Sequence, residues 1–447
     1  MRILVLAHGH PDLNPGGGER AAYALFQRLK QSPGVTKAVF AAYARHEAIG
    51  HDASFGSFRA RPDEILVAAP PVDGFTFQSF GYDALERLVN DLVQSVRPDV
   101  VHIHHFIFWG IEIFELFRRV GVRVVFTLHE FAAICAQYGQ MVKTDGQLCH
   151  VSSPGECGLC YPAIGAGKFF VRDTILKSLF ESVDQFVAPS HFLRERYVAW
   201  GIPKERITVI ENLLDASAVA RSYALSARKQ GRAHPTPSEA RLVFGFFAQI
   251  NPFKGLDILL EATSSLPEDV RRQVMIRIHG ENRHYRNTEF DRRTQELLAQ
   301  VKDVTCLMGG YRGEDVIDLM ATCDWIVVPS IWWENSPIVI QEARLAARPL
   351  LVSNIGGMAE KVNPTVDRLF PARSAGALAS AISDIVRAMA PPNRKRLAGL
   401  ARSRIQADEA YLVRHRTVYD AALAEPSSIK TPGSPSDSRA RPQSVVR

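Results

Sequence analysis

Short apolar runs recur along this chain, separated by helix-compatible sequence, and that alternation constrains the fold more than any single motif. The first set falls at 3–7, 38–42, 65–69, 100–104, 124–128, 186–189 and 207–210. Strands this short, alternating with helical stretches, are what a doubly wound parallel sheet requires, because each βαβ crossover lays a helix on a sheet face. Between 215 and 240 the pattern gives way to Ala, Ser and Arg with a Pro-rich end at Pro235-Thr236-Pro237, and a second set follows at 242–248, 275–279, 304–308, 325–329 and 350–353. A chain of 447 residues is too long for one ordinary core. The expectation is therefore an α/β protein of two doubly wound domains, 1–214 and 241–399, joined by a linker over 215–240. Helical periodicity resumes from 375 to 424, and the Ser-, Pro- and Arg-rich segment 425–447 reads as a disordered tail.

With 46% hydrophobic and 22% charged residues, the composition is that of a globular chain. The first apolar run is too short for a signal-peptide core, and no run of about 20 apolar residues follows. A cytoplasmic protein is expected. The net charge of +6 is modest; Lys and Arg are dispersed and no nucleic-acid signature is present, so anionic small molecules or an anionic membrane face are the expected partners. The stretch 168–180 combines Lys168, Phe169, Phe170, Val171, Arg172 and Lys177 at helical spacing. It is read either as a core-packing helix or as a surface meeting a membrane or a lipid-linked acceptor.

Six cysteines in such a compartment should be thiols. Cys135, Cys149, Cys157 and Cys160, spaced Cys-x13-Cys-x7-Cys-x2-Cys in loop-like sequence, suit either a structural zinc ion or a set of reduced thiols. Cys306 and Cys323 lie in apolar contexts and are expected in the core. His102 and His104 alternate on one strand, as two metal ligands would or as hydrogen-bonded residues at a cleft edge.

In open α/β sheets, ligands bind beyond the carboxyl ends of the strands. The first such loop contains Gly16-Gly17-Gly18 at a strand-to-helix turn, where the backbone can approach a ligand and aim N–H groups at an anion. The dinucleotide fingerprint Gly-x-Gly-x-x-Gly is not matched, and no acidic residue ends the next strand, which argues against NAD. The first loop of the second domain carries Gln249 and Lys254-Gly255, with Lys254 placed to neutralise a diphosphate. Further on, Trp332-Trp333-Glu334-Asn335-Ser336-Pro337-Ile338 predicts a helix with Ser336 as N-cap and Pro337 at its first position. Glu334 then lies just before the helix and Glu342 on its second turn, one acid for a hexose and one for a ribose, beside uncapped N–H groups that favour phosphate.

These motifs together resemble the family-four retaining glycosyltransferases, whose two Rossmann-like domains face a cleft in the architecture called GT-B. The resemblance spans residues 1 to about 420 and is carried by Gly16-Gly17-Gly18, Thr127-Leu128-His129-Glu130, Asn212-Leu213-Leu214-Asp215, Lys254-Gly255, Glu334 through Glu342, and Gly356-Gly357-Met358-Ala359-Glu360. It implies a transferase moving a hexosyl-type sugar from a nucleotide sugar, with UDP or GDP as the expected nucleotide, to a glycan or lipid-linked acceptor in cell-surface polysaccharide or glycolipid synthesis, at the inner membrane face where that acceptor is membrane-bound. It implies, too, that Gly17 and Gly18 meet the diphosphate, His129 approaches the sugar, Lys254 holds the phosphates, Glu334 binds sugar hydroxyls, Ser336-Pro337-Ile338 offers backbone N–H groups and Glu342 binds the ribose. A terminal helix over about 400–424 should return to the first domain.

Gln249 stands where the family usually carries arginine, so one cationic ligand is missing. No Asp-x-Asp occurs in the chain, so no catalytic metal or other cofactor is expected. Another sugar-nucleotide activity on the same architecture, an epimerase or a phosphorylase, and a non-catalytic sugar-nucleotide binder are the alternatives.

Overall fold

The computed structural model describes residues 1–14, 16–45, 49, 54–214, 219–222, 241–282, 288–388 and 393–424. Most of the expected linker and the whole expected tail lie outside the described residues. The first sheet has eight strands: β1 (Arg2–Ala7), β2 (Lys37–Tyr43), β3 (Phe55–Phe58), β4 (Arg61–Val67), β5 (Val100–Ile103), β6 (Arg123–Thr127), β7 (Gln185–Ala188) and β8 (Ile207–Val209), in the order β3-β4-β2-β1-β5-β6-β7-β8. Only β3 runs antiparallel to its neighbour. The second sheet holds β9 (Leu242–Phe247), β10 (Val274–His279), β11 (Thr305–Gly309), β12 (Trp325–Val328), β13 (Leu350–Ser353) and β14 (Arg368–Phe370), all parallel, in the order β11-β10-β9-β12-β13-β14.

The doubly wound expectation is met in both sheets. The chain turns back on itself at β1, which pairs with β2 on one side and β5 on the other, and again at β9, flanked by β10 and β12. These are the topological switch points, where a crevice opens beyond the strand ends. The Gly-rich loop and the Lys254 loop leave the sheet there. Covering helices follow from apolar spacing: Tyr82–Val96 buries Leu85, Leu88, Val89, Leu92 and Val96, a single stripe at helical period.

The edge strands β3 and β14 have no counterpart in the apolar runs. Phe55–Phe58 buries only Phe58 and Arg368–Phe370 only Phe370, so neither has the two-sided apolar character that marks a central strand. Edge position also corrects the reading of Cys306, which is exposed on β11, whereas Cys323 is buried.

The helix Arg394–Glu409 packs against Ile338–Leu345, and Tyr411–Ala424 returns to the first sheet. There Tyr411, Val418, Tyr419 and Ala422 join a core with Ile3, Val5 and Phe40, and the Tyr419 hydroxyl lies 2.8 Å from His102 Nδ1. The domains also touch across the cleft. Trp333 joins the first domain's core and donates from Nε1 to the Cys149 carbonyl at 3.1 Å, while the Glu360 carboxylate accepts from the N–H groups opening the helix His191–Trp200. No helix among the described residues is long and apolar enough to cross a membrane.

Candidate active site

A cleft of about 550 Å³ lies between the two switch points, lined by Gly17, Gly18, His129, Gln249, Lys254, Glu334, Ser336, Pro337, Ile338 and Glu342 together with several residues that the sequence reading left without a role. Its size is that of an ordinary small-ligand site. Gly17 and Gly18 open the helix Gly17–Lys30, whose N-terminus has no side-chain cap, so its first N–H groups are free to meet an anion. A Cβ on Gly17 would stand 3.8 Å from Ile338 Cδ1, and one on Gly18 would stand 3.2 Å from His8 Cε1. Gly17 therefore faces the second domain across the cleft, and Gly18 leaves room for His8 of its own domain.

On the opposite wall, Lys254 does not begin a helix. It ends a short 3-10 turn, Pro252–Lys254, started by Asn251, whose side chain accepts from Phe253 N at 3.0 Å. Gly255 (φ +71°) then reverses the chain into the helix Leu256–Ser264, and a Cβ there would come within 2.0 Å of the Pro329 carbonyl oxygen. Only glycine permits that approach.

The Lys254 ammonium lies 2.5 Å from Glu334 Oε1 and 5.4 Å from the centre of the Trp332 ring. The same carboxylate oxygen accepts from Ser330 Oγ at 3.0 Å and Trp332 Nε1 at 2.8 Å. Burial alone would raise the Glu334 pKa; the Lys254 charge and the three hydrogen bonds outweigh it and hold the carboxyl below its usual range. The cation expected on a phosphate and the acid expected on sugar hydroxyls are thus bound to each other.

The helix start is corrected by one residue. Ile338–Leu345 is capped by Pro337 in extended conformation, and Ser336 makes no capping bond. Its buried hydroxyl accepts instead from Gln341 Nε2 at 3.3 Å; Gln341 Oε1 accepts from Arg404, which also reaches the Asn212 carbonyl beside the domain junction. Pro337 has no N–H, so the amides facing the cleft are those of Ile338 and Val339. Glu342, one turn beyond Ile338, is pushed up to about 7 by burial, with Arg20 opposing the rise. Gln249 is exposed at the cleft.

His129 Nε2 lies 2.9 Å from His104 Nδ1, and its backbone carbonyl accepts from Asn335 Nδ2 at 2.8 Å, which ties β6 to the second domain. Burial and the neighbouring His105 and His8 lower its pKa to about 3, so the ring is neutral. Beside it, Glu130 lines the cleft with Oε1 3.2 Å from His105 Nε2, and burial pushes its carboxyl up to about 8. Gly139 makes room for that carboxyl: a Cβ there would fall 2.0 Å from Oε2. Glu130 ends the motif Thr127-Leu128-His129-Glu130 and Arg20 follows Gly16-Gly17-Gly18 by two residues, yet neither has a role that its motif would assign. Their side chains matter through partners remote in sequence, which no local spacing reveals.

His102 uses both ring nitrogens, at 2.8 Å from Tyr419 Oη and 2.7 Å from Thr127 Oγ1, and so resolves as a hydrogen-bonded residue. The four clustered cysteines do come together, lining a small apolar cavity with Val142, Val151 and Phe169. Three of them turn to local partners: Cys149 donates to the Val151 carbonyl at 3.3 Å, Cys157 lies 3.4 Å from Ser152 Oγ, and Cys160 accepts from Thr144 N at 3.4 Å. Among the described residues no group of three or more His, Cys, Asp or Glu is disposed to hold a metal ion. In the helix Gly165–Phe180, Phe169, Arg172, Leu176 and Phe180 are buried, as the core-packing reading expects, while Phe170 (63%) and Val171 (53%) stand in solvent beside exposed Lys168.

Two doubly wound domains whose switch points face one nucleotide-sized cleft define the GT-B class of fold. Comparison with known proteins narrows this. Residues 15–218 match the model of Glycosyltransferase Family 4, and residues 228–404 match that of Glycosyl transferases group 1. The chain belongs to this family. A lipopolysaccharide 1,2-N-acetylglucosaminetransferase of Salmonella typhimurium is 26% identical over 222 residues, 49% of this chain and 56% of that protein. A D-inositol 3-phosphate glycosyltransferase of Saccharomonospora viridis is 28% identical over 138 residues, 30% of this chain and 31% of its own length. The chain thus matches about half or less of these curated relatives. Among solved structures, Anabaena HepE in complex with UDP aligns with a TM-score of 0.64 at 18% identity, covering 94% of this chain and 100% of that one. Sucrose-phosphate synthase from Thermosynechococcus elongatus aligns with a TM-score of 0.65 at 18% identity, covering 95% and 100%.

Proposed function

We propose that this protein is a retaining glycosyltransferase that moves a hexosyl-type sugar from a UDP- or GDP-sugar to a glycan or lipid-linked acceptor, without a catalytic metal. The observation that carries the reading is the convergence on one cleft of two open helix N-termini, at Gly17 and Ile338, with Lys254, Glu334 and Glu342. The diphosphate lies between the two helix starts and Lys254, where dipoles and charge offset its negative charge without rearrangement. Glu342 accepts from the ribose hydroxyls, and Glu334, fixed by Ser330 and Trp332, orients the sugar. The bond from the anomeric carbon to the β-phosphate breaks as the acceptor oxygen attacks from the same face. The departing phosphate takes the acceptor's proton, so that Lys254 and the helix amides stabilise the charge as it develops. His129, neutral, contributes a hydrogen bond to the sugar and no charge.

The names of the relatives support this reading. HepE has been solved with UDP, with UDP and glucose, and with UDP-glucose, and the Salmonella relative is named for action on lipopolysaccharide. Synthesis of a cell-surface polysaccharide or glycolipid follows, with the Lys168, Phe170 and Val171 face turned to an anionic membrane at its inner side. A non-catalytic sugar-nucleotide binder is the second reading, favoured by Gln249 in place of a cation. A thermal-shift screen of UDP-, GDP- and ADP-sugars, followed by donor hydrolysis with wild type and Glu334→Ala, tests both. Stabilisation by a sugar nucleotide with hydrolysis lost in the variant supports the enzyme; stabilisation without turnover supports the binder; no shift with any of them removes both.

A further inference from the structure

Among the described residues, the cleft is lined by two side chains that carry a fixed positive charge, Lys254 and Arg20, against the carboxyl groups of Glu130, Glu281, Glu334 and Glu342. Lys254 is engaged by Glu334 at 2.5 Å. Arg20 is different: among the described residues its guanidinium makes no ion pair or hydrogen bond, although it is not turned away into solvent. It stands one helical turn beyond Gly17 in Gly17–Lys30 and reaches across to the other domain, where a Cβ on Gly313 would meet Nη1 at 3.3 Å, Cζ at 3.8 Å and Nη2 at 3.9 Å. The guanidinium therefore rests against bare backbone, at a place where any larger residue than glycine would push it aside.

Two facing helices fix what it points toward. Gly17 faces Ile338, and Arg20 and Glu342 each follow those residues by about one turn. Arg20 lies close enough to Glu342 and Tyr311 for its charge to act on both. The ribose end of the donor is thus bordered by a cation from the first domain and a carboxylate from the second. A nucleoside diphosphate brings negative charge into this space, and the turn after β9 offers it Lys254, already engaged by Glu334, and the neutral Gln249.

We infer that Arg20 is the second cationic ligand of the donor's phosphates, supplied across the cleft from the first domain in place of the charge absent at Gln249. The inference rests on the nucleotide-sugar reading above. A guanidinium presents forked donors to phosphate oxygens, and one reaching over from the opposite domain makes diphosphate binding and cleft closure the same event. A second cation on the turn after β9, beside Lys254, would hold the phosphates to one domain only.

Isothermal titration with UDP and GDP, each paired with its uncharged nucleoside, tests this in wild type, Arg20→Ala, Arg20→Lys, Arg20→Ala/Gln249→Arg and Lys254→Ala. Arg20→Ala should weaken the nucleoside diphosphate by about 10- to 100-fold, the range of a charge-assisted hydrogen bond, and leave the nucleoside unchanged. Arg20→Lys should recover part of the loss. Gln249→Arg in the Arg20→Ala background should restore most of it, because it returns the charge to the other wall. Wild-type diphosphate affinity in Arg20→Ala, with affinity lost in Lys254→Ala, would overturn the role of Arg20 while leaving the donor site standing. Equal loss of nucleoside and diphosphate would also overturn it, since a merely structural residue behaves that way. Failure of the wild type to bind either diphosphate would remove the underlying reading itself.

Discussion

Replacing Lys254 by methionine should expose how much the cleft depends on one ion pair. Glu334 is 9% exposed, and its Oε1 holds Lys254 at 2.5 Å together with Trp332 Nε1 and Ser330 Oγ. Removing one partner of a fully buried pair costs about 3–5 kcal/mol. The Lys254 side chain is 24% exposed and two neutral donors remain on the carboxylate, so the expected loss is smaller, about 2–3 kcal/mol. Glu334→Gln keeps the shape and the acceptor oxygen and leaves Lys254 free to turn toward solvent, for a cost of about 1 kcal/mol. In the double variant neither charge is stranded, and stability should return to within about 1 kcal/mol of wild type, a coupling of about 2 kcal/mol. The pH dependence has a definite sign. In wild type the folded Glu334 pKa is lowered, so the stability it contributes is present above its unfolded value and is lost on acidification. In Lys254→Met, burial acts without the counter-charge and the folded pKa is raised, so that variant gains relative to wild type as pH falls from 7 toward 4. Urea unfolding of the four proteins at pH 7 and pH 5, followed by tryptophan fluorescence, measures the cycle. Additive losses in the double variant, or a Lys254→Met deficit that does not shrink at pH 5, would refute the buried-pair account.

The histidines of the first domain give a second pH effect: His102, His104, His105, His129 and His415 all have lowered pKa values, burial being the largest cause in each. Unfolded histidines take protons below about 6.5, and each then removes up to about 1.4 kcal/mol per pH unit, so thermal midpoints should drop steeply between pH 7 and 5.5; a flat profile would count against a neutral cluster. Tyr419→Phe leaves His102 Nδ1 without its hydroxyl partner and should cost about 1–3 kcal/mol by urea titration. Gly255→Ala, at φ +71° and 2.0 Å from a carbonyl oxygen, should cost about 3 kcal/mol or more and lower diphosphate affinity through the displaced Lys254 turn, where wild-type behaviour in both would show the turn to be slack. Transfer activity should persist in excess EDTA, and a loss restored by added Mg²⁺ or Mn²⁺ would contradict the metal-free mechanism.

The fold was legible because parallel strands write themselves as apolar runs, and the site because phosphate-binding turns need glycine, lysine and open helix starts at strand ends. The apolar run at 38–42 places β2 after the first helix, whereas β3 and β14, with one buried residue each, leave almost no trace. What stayed hidden is pairing across distance. That Lys254 is held by a carboxylate 80 positions away in its own domain, that Gln341 carries Ser336 to Arg404 and the Asn212 junction, and that Arg20 of the first domain lies against Gly313 of the second are tertiary pairings that local spacing does not reveal. The helix start moves by one residue for a local reason: the Ser336 hydroxyl takes the Gln341 bond, five residues on, instead of capping the amides. Those amides are consequently left open toward the cleft. A sequence rule that maximises capping fails where a ligand is meant to supply the cap, and the uncapped starts at Gly17 and Ile338 both fall where a diphosphate would lie.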